Sequence, residues 1–374
     1  MPSVKNKKED LNKVTPYTAI KNKLRNRILS GQFGPGGQLT PEMELCRQFN
    51  ISRSTVRRAI SELVEEGLLV RHQGKGTYVS FQRSETQQHL LSILVCQFGH
   101  VLGAYDLCVK GAMSACAERG YELLVSNSQN NPYTALDQVK RLNEIRVAGT
   151  IVMPLQTGPD ENEELDKIVQ ALHGADQQVV IADTYAPESE FPSISSQNRE
   201  AMHELTSYVI AMGHKKIAFL TSHPIESVIE REEGFRQAMA EHNLEIPPHY
   251  FLQTAGLDPA IQGRQAVDVF MAMREPPEAI ICLHDLIALN VLKACEKRGW
   301  KVPEEVSVVG FDDLPSSAIT TPPLTTMHQP LFEMGEHAAH LLIDRLEKTN
   351  VDNDLHPRLP CRLVERDSCT NRNR

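Results

Sequence analysis

Residues 30–79 read SGQFGPGGQLTPEMELCRQFNISRSTVRRAISELVEEGLLVRHQGKGTYV, and their punctuation decides how the first part of the chain folds. Thr40 is a candidate N-cap. Pro41 follows at the first helical position with Glu42 and Glu44 in the first turn, which announces a helix carrying Leu45 and Phe49 inward. Asn50-Ile51 forms a tight turn. Ser52 then caps a further helix over residues 53–66, whose Val56, Ile60, Leu63 and Val64 recur at helical spacing until Gly67 ends it. Two extended pieces, 68–71 and 77–79, flank Gln73-Gly74-Lys75-Gly76 and predict a hairpin with a basic tip. Upstream, residues 17–29 place Ile20, Leu24 and Ile28 on one helical face before Ser30-Gly31 stops it. The expected fold of this part is a winged helix-turn-helix of α+β class.

The helix after Ser52 has two chemical faces. Arg53 and Arg57 lie four apart with Ser54 and Arg58 beside them, while the opposite face is apolar. A capped N-terminus directs backbone N–H groups at a phosphate, and a basic polar face suits the major groove. Lys75, in a glycine-flanked turn, is thin enough to reach a DNA backbone or minor groove. Residues 30–79 resemble the winged-helix domain of the GntR family over essentially their whole length, through the paired glycines, the SRSTVRRAI helix and the QGKGTYV wing. The resemblance implies that Arg53, Ser54, Thr55 and Arg57 contact operator DNA from the recognition helix, with Gly74 and Lys75 contacting it from the wing. One departure stands out: Met43 occupies a place where the family often has a DNA-contacting arginine.

Charge follows the same division. The net charge of the 374 residues is −9, yet residues 1–89 hold 15 Lys and Arg against eight Asp and Glu, and the remainder holds 24 against 40. A basic head on an acidic body is the asymmetry expected of one module that meets polyphosphate and one that does not. Residues 1–15, with Lys5, Lys7 and Lys8 but no apolar stretch behind them, form a basic arm and a poor secretion signal. No apolar run approaches the ~20 residues that cross a bilayer. The eight cysteines make no CxxC pair, which argues against a zinc ribbon, a redox dithiol or a disulfide framework. These features point to a cytoplasmic, nucleoid-associated protein with no membrane partner and no cofactor.

Residues 81–89, FQRSETQQH, are polar and aperiodic and divide the head (16–80) from the body (90–368), with 369–374 left as a tail. In the body, apolar runs such as LLSILVCQF, GTIVM, VVIAD, KIAFL, AIICL and SVVGF alternate with helical stretches near 105–119, 133–145, 160–172, 199–212, 231–242, 258–273 and 285–298. That rhythm predicts parallel sheets covered on both faces, with ligands beyond the carboxyl ends of the strands. Asp183, Asp312 and Asp313 end such runs. Asp285 follows another and reads more simply as a helix N-cap. Arg231 stands near a helix start between Glu230 and Glu232, where it serves either a ligand or a surface ion pair. Carboxylates, a forked guanidinium and an aromatic wall are what a sugar needs.

The stretch SVVGFDDLPSSAITTPPLTTMHQPLFEMGEHAAHLLIDRL resembles the closing half of LacI/GalR-family regulators, with GHKKIAFL, REEGFRQAM and AIICLHDLIAL in support. It implies a two-lobed α/β periplasmic-binding-protein-like domain, three chain crossings, and a small carbohydrate effector held between the lobes. It further implies Arg231 and Asp312 as effector ligands, then Asp183 and His284, with Phe98 and Tyr105 as walls. His284 stands where the family often has Asn. A GntR-type head on such a body resembles arabinose-responsive repressors, without fixing the sugar. The expected protein is a homodimeric, sugar-responsive repressor and not an enzyme. Two other readings remain open: a sugar-binding receptor without DNA function, and a GntR-headed pyridoxal-phosphate enzyme. Glu333, His337 and His340 have helical spacing but no convergent further ligand and no HExxH motif, so they read as a helix face and not a metal site.

Overall fold

The computed structural model describes residues 16–29, 33, 36–80, 89–96, 103–156, 161–175, 177–253, 259–349 and 354–373. The basic arm, the linker up to Gln88, and Phe98 lie outside the described residues. The chain divides into two compact units, a head within residues 1–88 and a body formed by His89–Leu172 and Gln177–Arg374.

In the head, α1 (Pro16–Leu29), α2 (Glu42–Phe49) and α3 (Arg53–Glu65) close on Ile20, Leu24, Leu45, Val56, Ile60 and Leu63. Ser52 caps α3 as its sequence predicts, its Oγ accepting from the Thr55 N–H at 3.2 Å. The start of α2 differs by one residue. Pro41 keeps an extended ψ of 143° and is itself the cap, so the helix begins at Glu42 and the Thr40 side chain caps nothing. The strands β1 (Leu69–His72) and β2 (Gly76–Val79) pair antiparallel, one residue nearer the tip than expected. The Lys75 N–H closes the turn on the His72 carbonyl at 3.0 Å, with Gly74 at φ +73°. That positive φ at the third turn position is one glycine takes without strain.

The body begins with β3 (Leu90–Val95), α4 (Ala104–Glu118), β4 (Glu122–Asn127), α5 (Pro132–Ile145), β5 (Gly149–Val152), α6 (Glu161–His173), β6 (Gln178–Ala182) and β7 (Ser193–Ser196). These build most of lobe one. The chain then crosses into lobe two: α7 (Asn198–Ala211), β8 (Ile217–Thr221), α8 (Glu226–Glu241), β9 (Phe251–Gln253), α9 (Pro259–Met271), β10 (Ala279–Cys282), α10 (Asp285–Arg298), β11 (Ser307–Asp312) and β12 (Thr325–His328). It returns to lobe one as α11 (Leu331–Glu347) and β13 (Arg358–Leu359), and crosses a third time to β14 (Arg362–Val364). The sheets run β13-β7-β6-β5-β3-β4, all parallel, and β14-β12-β11-β10-β8-β9, parallel except for edge strand β14.

Every residue of β5, β8, β10 and β11 is buried, as helices on both faces of a parallel sheet require. Lobe one closes by a tight helix pair: a Cβ at Gly111 of α4 would overlap the Phe332 carbonyl, and one at Gly335 of α11 the Cys108 carbonyl. Strand β7, SISS, carries no apolar alternation and escaped the sequence reading. The residues set apart as a tail are bonded into lobe two as far as they are described. Thr370 N–H donates to Ser307 Oγ at 3.1 Å and Arg372 N–H to the Met212 carbonyl at 2.7 Å.

Candidate functional site

On the head, Arg53 and Arg57 project from α3 with 62% and 59% of their side chains exposed, and Glu42 Oε2 lies 3.5 Å from the Nε of each. Its other oxygen is 3.8 Å from Arg71 of β1. One carboxylate thus gathers three guanidinium groups on a face that is otherwise basic. Ser54 is exposed beside them. Thr55 is more enclosed, because its Oγ1 sits 2.8 Å from Ser52 Oγ within the cap. Arg58 turns away toward α1, over the Tyr17 ring at 4.5 Å and 3.5 Å from Glu62. At the wing tip Gly74 and Lys75 are exposed. The Lys75 carbonyl is braced by donors from Gln38 Nε2 at 3.2 Å and Tyr78 OH at 3.1 Å. Met43 is 54% exposed. The sequence reading passed over Glu42, Arg71, Gln38 and Tyr78 as participants. The one available signal was the acidic first turn of α2, beside Met43.

In the body the second constellation gathers where the lobes face each other. Arg231 is 7% exposed. Its Nε donates to Asn198 Oδ1 at 2.9 Å, NH1 to the Leu283 carbonyl at 2.9 Å, and NH2 to Gln329 Oε1 at 3.2 Å. Its Cζ lies over the Phe311 ring, 3.7 Å from the ring centre, and NH1 is 3.7 Å from Asp312 Oδ1. The surface ion-pair alternative for Arg231 therefore fails. Helix α8 starts five residues earlier than its periodicity suggested, which puts Arg231 in the second turn and points it inward. Its flanking glutamates have other partners: Glu230 takes Arg358 at 2.6 Å, and Glu232 accepts from Thr221 Oγ1 at 2.8 Å.

Gln329, on the second crossing, joins the lobes. While its Oε1 accepts from Arg231, its Nε2 donates to Asp183 Oδ1 at 3.1 Å and to Ser196 Oγ at 3.2 Å. Tyr105 of α4 faces the same carboxylate and bonds through its hydroxyl to Gln156 Nε2. Asp183 and Asp312 hold φ of +65° and +116°, conformations that cost a non-glycine residue about 1–3 kcal/mol and cluster at functional sites. Burial pushes both carboxyls up, Asp312 well above the usual range, and Arg231 opposes the shift in each case. Desolvation, and then the charge of the neighbouring Arg231, push the half-buried His284 down to about 4.

Two aspartates have different work. Asp285 is not the cap of α10: His284 is, its Nδ1 accepting from the Ile287 N–H at 3.4 Å. Asp285 is instead fully buried and accepts from Leu314 N–H at 2.9 Å, Ser317 Oγ at 2.6 Å and Thr326 Oγ1 at 2.6 Å, tying α10 to the loop after β11 and to β12. Asp313 pairs with Arg366 at 2.6 Å and His328 at 3.0 Å. Of the residues expected at the cleft, Arg231, Asp312, Asp183, His284 and Tyr105 converge. Asn198 and Gln329 were missed, because a lone amide in a sequence carries no pattern.

Comparison with known proteins finds a separate match in each of the two units. Residues 16–79 match the bacterial regulatory proteins of the gntR family, and residues 206–369 match the periplasmic binding protein-like domain. The HTH-type transcriptional repressor PurR of Vibrio vulnificus is 31% identical over 259 residues, 68% of this chain and 75% of that protein. The chain belongs to this family of transcriptional repressors. The arabinose metabolism transcriptional repressor of Geobacillus stearothermophilus is 29% identical over 339 residues, 90% of this repressor and 92% of that one. The transcription regulator CcpA of Lactococcus lactis shares the fold at a TM-score of 0.66 and 23% identity, over 75% of this repressor and 99% of that chain. In this repressor the gntR-type head carries the exposed arginine face, and the two-lobed body carries the buried Arg231 cluster.

Proposed function

We propose that this repressor binds operator DNA through the α3 face and the wing, and releases it when a small carbohydrate enters the cleft between the lobes of the body. The observation that carries the effector half is the buried Arg231, held by Asn198, Leu283 and Gln329 and flanked by Asp183 and Asp312 from opposite lobes. Among the described residues these groups are oriented by one another, and the His284 nitrogen that a general base would need accepts the α10 cap instead, which supports a binding role. Arg53, Ser54 and Arg57 would read base edges, Thr55 would steady the helix start, and Gly74 and Lys75 would meet the backbone. The protein would act as a homodimer on a two-fold symmetric operator, with ligand closure altering how the two heads meet their half-sites. The name of the Geobacillus relative makes a pentose the first sugar to try.

The test is a thermal-shift screen of pentoses and hexoses, followed by operator gel shifts with each hit. A ligand at a hundred times its Kd adds about 2.7 kcal/mol of stability, and it should lower operator affinity. Arg231→Ala should lose that stabilisation while still binding operator. Arg53→Ala and Arg57→Ala should each cost about 1–3 kcal/mol of operator binding while still binding sugar. Wild-type operator affinity in both arginine variants would overturn the DNA face. Unaltered sugar binding in Arg231→Ala would overturn the cleft.

A further inference from the structure

Glu42 stands where three elements of the head meet. It comes from α2, Arg53 and Arg57 from α3, and Arg71 from β1. Among the described residues it is the one carboxylate within ion-pair distance of all three. A helix N-terminus stabilises an acidic residue in its first turn, which accounts for a carboxylate at this end of α2 but not for its neighbours. Glu44 lies in the same turn and is exposed. Two residues carry it about 200° round the helix, away from the arginines.

The atoms involved matter. Both α3 arginines approach Glu42 Oε2 through Nε, at 3.5 Å. A guanidinium carries one N–H on Nε and two on each terminal nitrogen, in one rigid plane. Contact at Nε fixes that plane and leaves the NH1–NH2 fork for a partner outside the head. The two kinds of DNA contact respond to different properties of this arrangement. A phosphate responds to net positive charge, and Glu42 offsets part of that charge. A base edge is a fixed pattern of donors and acceptors, so it responds to where the fork points, which Glu42 constrains.

We infer that Glu42 sets the sequence selectivity of the head: it positions the Arg53 and Arg57 forks for base edges and weakens their hold on phosphate at any sequence. This rests on the reading of the α3 face as the DNA surface. Arg71 brings the wing into the same arrangement, since its NH2 lies 3.8 Å from Glu42 Oε1. Glu42 is thus a positioning residue that acts through three arginines from two elements.

The experiment begins with selection of duplexes from a randomised library by the full chain. Affinity is then measured by fluorescence anisotropy, over a range of salt, for the best selected duplex and for a scrambled duplex of the same length and composition. Glu42→Gln keeps the size of the side chain and removes its charge. It should bind the scrambled duplex several-fold more tightly, with a log–log salt slope steeper by ~0.9, the value of one phosphate contact. The ratio of selected to scrambled affinity should fall at least ~5-fold, the low end for one bidentate base contact. Glu42→Ala should further lose affinity for the selected duplex, because the forks lose their anchor. Glu44→Gln removes the same charge from the same turn and should leave the ratio as in the parent.

A damaged head loses affinity for every duplex, so tighter binding to the scrambled one separates positioning from folding. An unchanged ratio in Glu42→Gln, or an equal fall in Glu44→Gln, overturns the inference. So does a Glu42→Gln protein whose scrambled affinity is unchanged while its selected sequence differs at one base pair, since the carboxylate then reads that pair itself. If the parent chain selects no sequence, the DNA surface itself has been misread.

Discussion

Desolvation in the cleft, and then the neighbouring Arg231, favour the neutral ring of His284, whose Nδ1 accepts the Ile287 N–H. Its value falls to about 4 from an ordinary 6.5. The unfolded chain therefore takes up a proton first as pH drops. The contribution to stability is whole above pH 6.5 and is lost progressively down to about 4, worth at most about 3 kcal/mol. Asparagine keeps a cap acceptor at this position without the titration. We expect His284→Asn to lose less stability than the parent protein between pH 7 and pH 4.5, measured by urea midpoints. Identical losses would mean the ring is not held neutral. At this scale the strand-ending aspartates were legible, since an acidic residue after an apolar run is itself a pattern. Asn198 and Gln329 were not, because their value arises only when three elements bring them onto one guanidinium.

Helix faces were the most legible elements, since a 3.6-residue period survives in a linear string. Helix ends were less so. Neither α2 nor α8 has a side-chain cap, and the start of each differs from its sequence reading. Strand β7 was invisible because its serines find polar partners: Ser193 Oγ accepts from the Ala186 N–H at 3.1 Å, and Ser196 Oγ accepts from Gln329. On α11 the acidic and histidine positions Glu333 and His337 are exposed while Met334, Ala338 and Leu342 face the core. Among the described residues no group of three could hold a metal. What the sequence could not announce is how closely α11 lies on α4. The two reciprocal glycines place backbone against backbone, so Gly335→Ala forces a methyl into the Cys108 carbonyl. Overpacking of this kind costs about 1–3 kcal/mol. Chemical denaturation should show that loss, and an unchanged midpoint would mean the helices part freely.

At the scale of the molecule, the head was almost fully legible because its contacts are local, whereas the body was legible in class from its strand rhythm and in its three crossings only through the family resemblance. Lobe one takes Met334, Ala338, Ala339, Leu342 and Ile343 of α11 into its core, and β13 onto its sheet, after all of lobe two except β14 and the residues behind it has intervened. A chain ending at Pro330 retains β3 to β7 yet lacks one side of that core. We expect it to be rapidly degraded by protease across residues 90–196 while residues 16–79 stay protected. Equal resistance in both regions would overturn this account of lobe one.

The same interleaving acquires a meaning in time when the chain is made from its first residue to its last. The core of the head is complete once residue 79 has left the ribosome, whereas each lobe waits for residues beyond 331. At about 5–20 residues per second, every new copy spends roughly 15–60 s with its reading head finished and its sensor unmade. Newly made protein should therefore be deaf to its effector before it is silent on DNA.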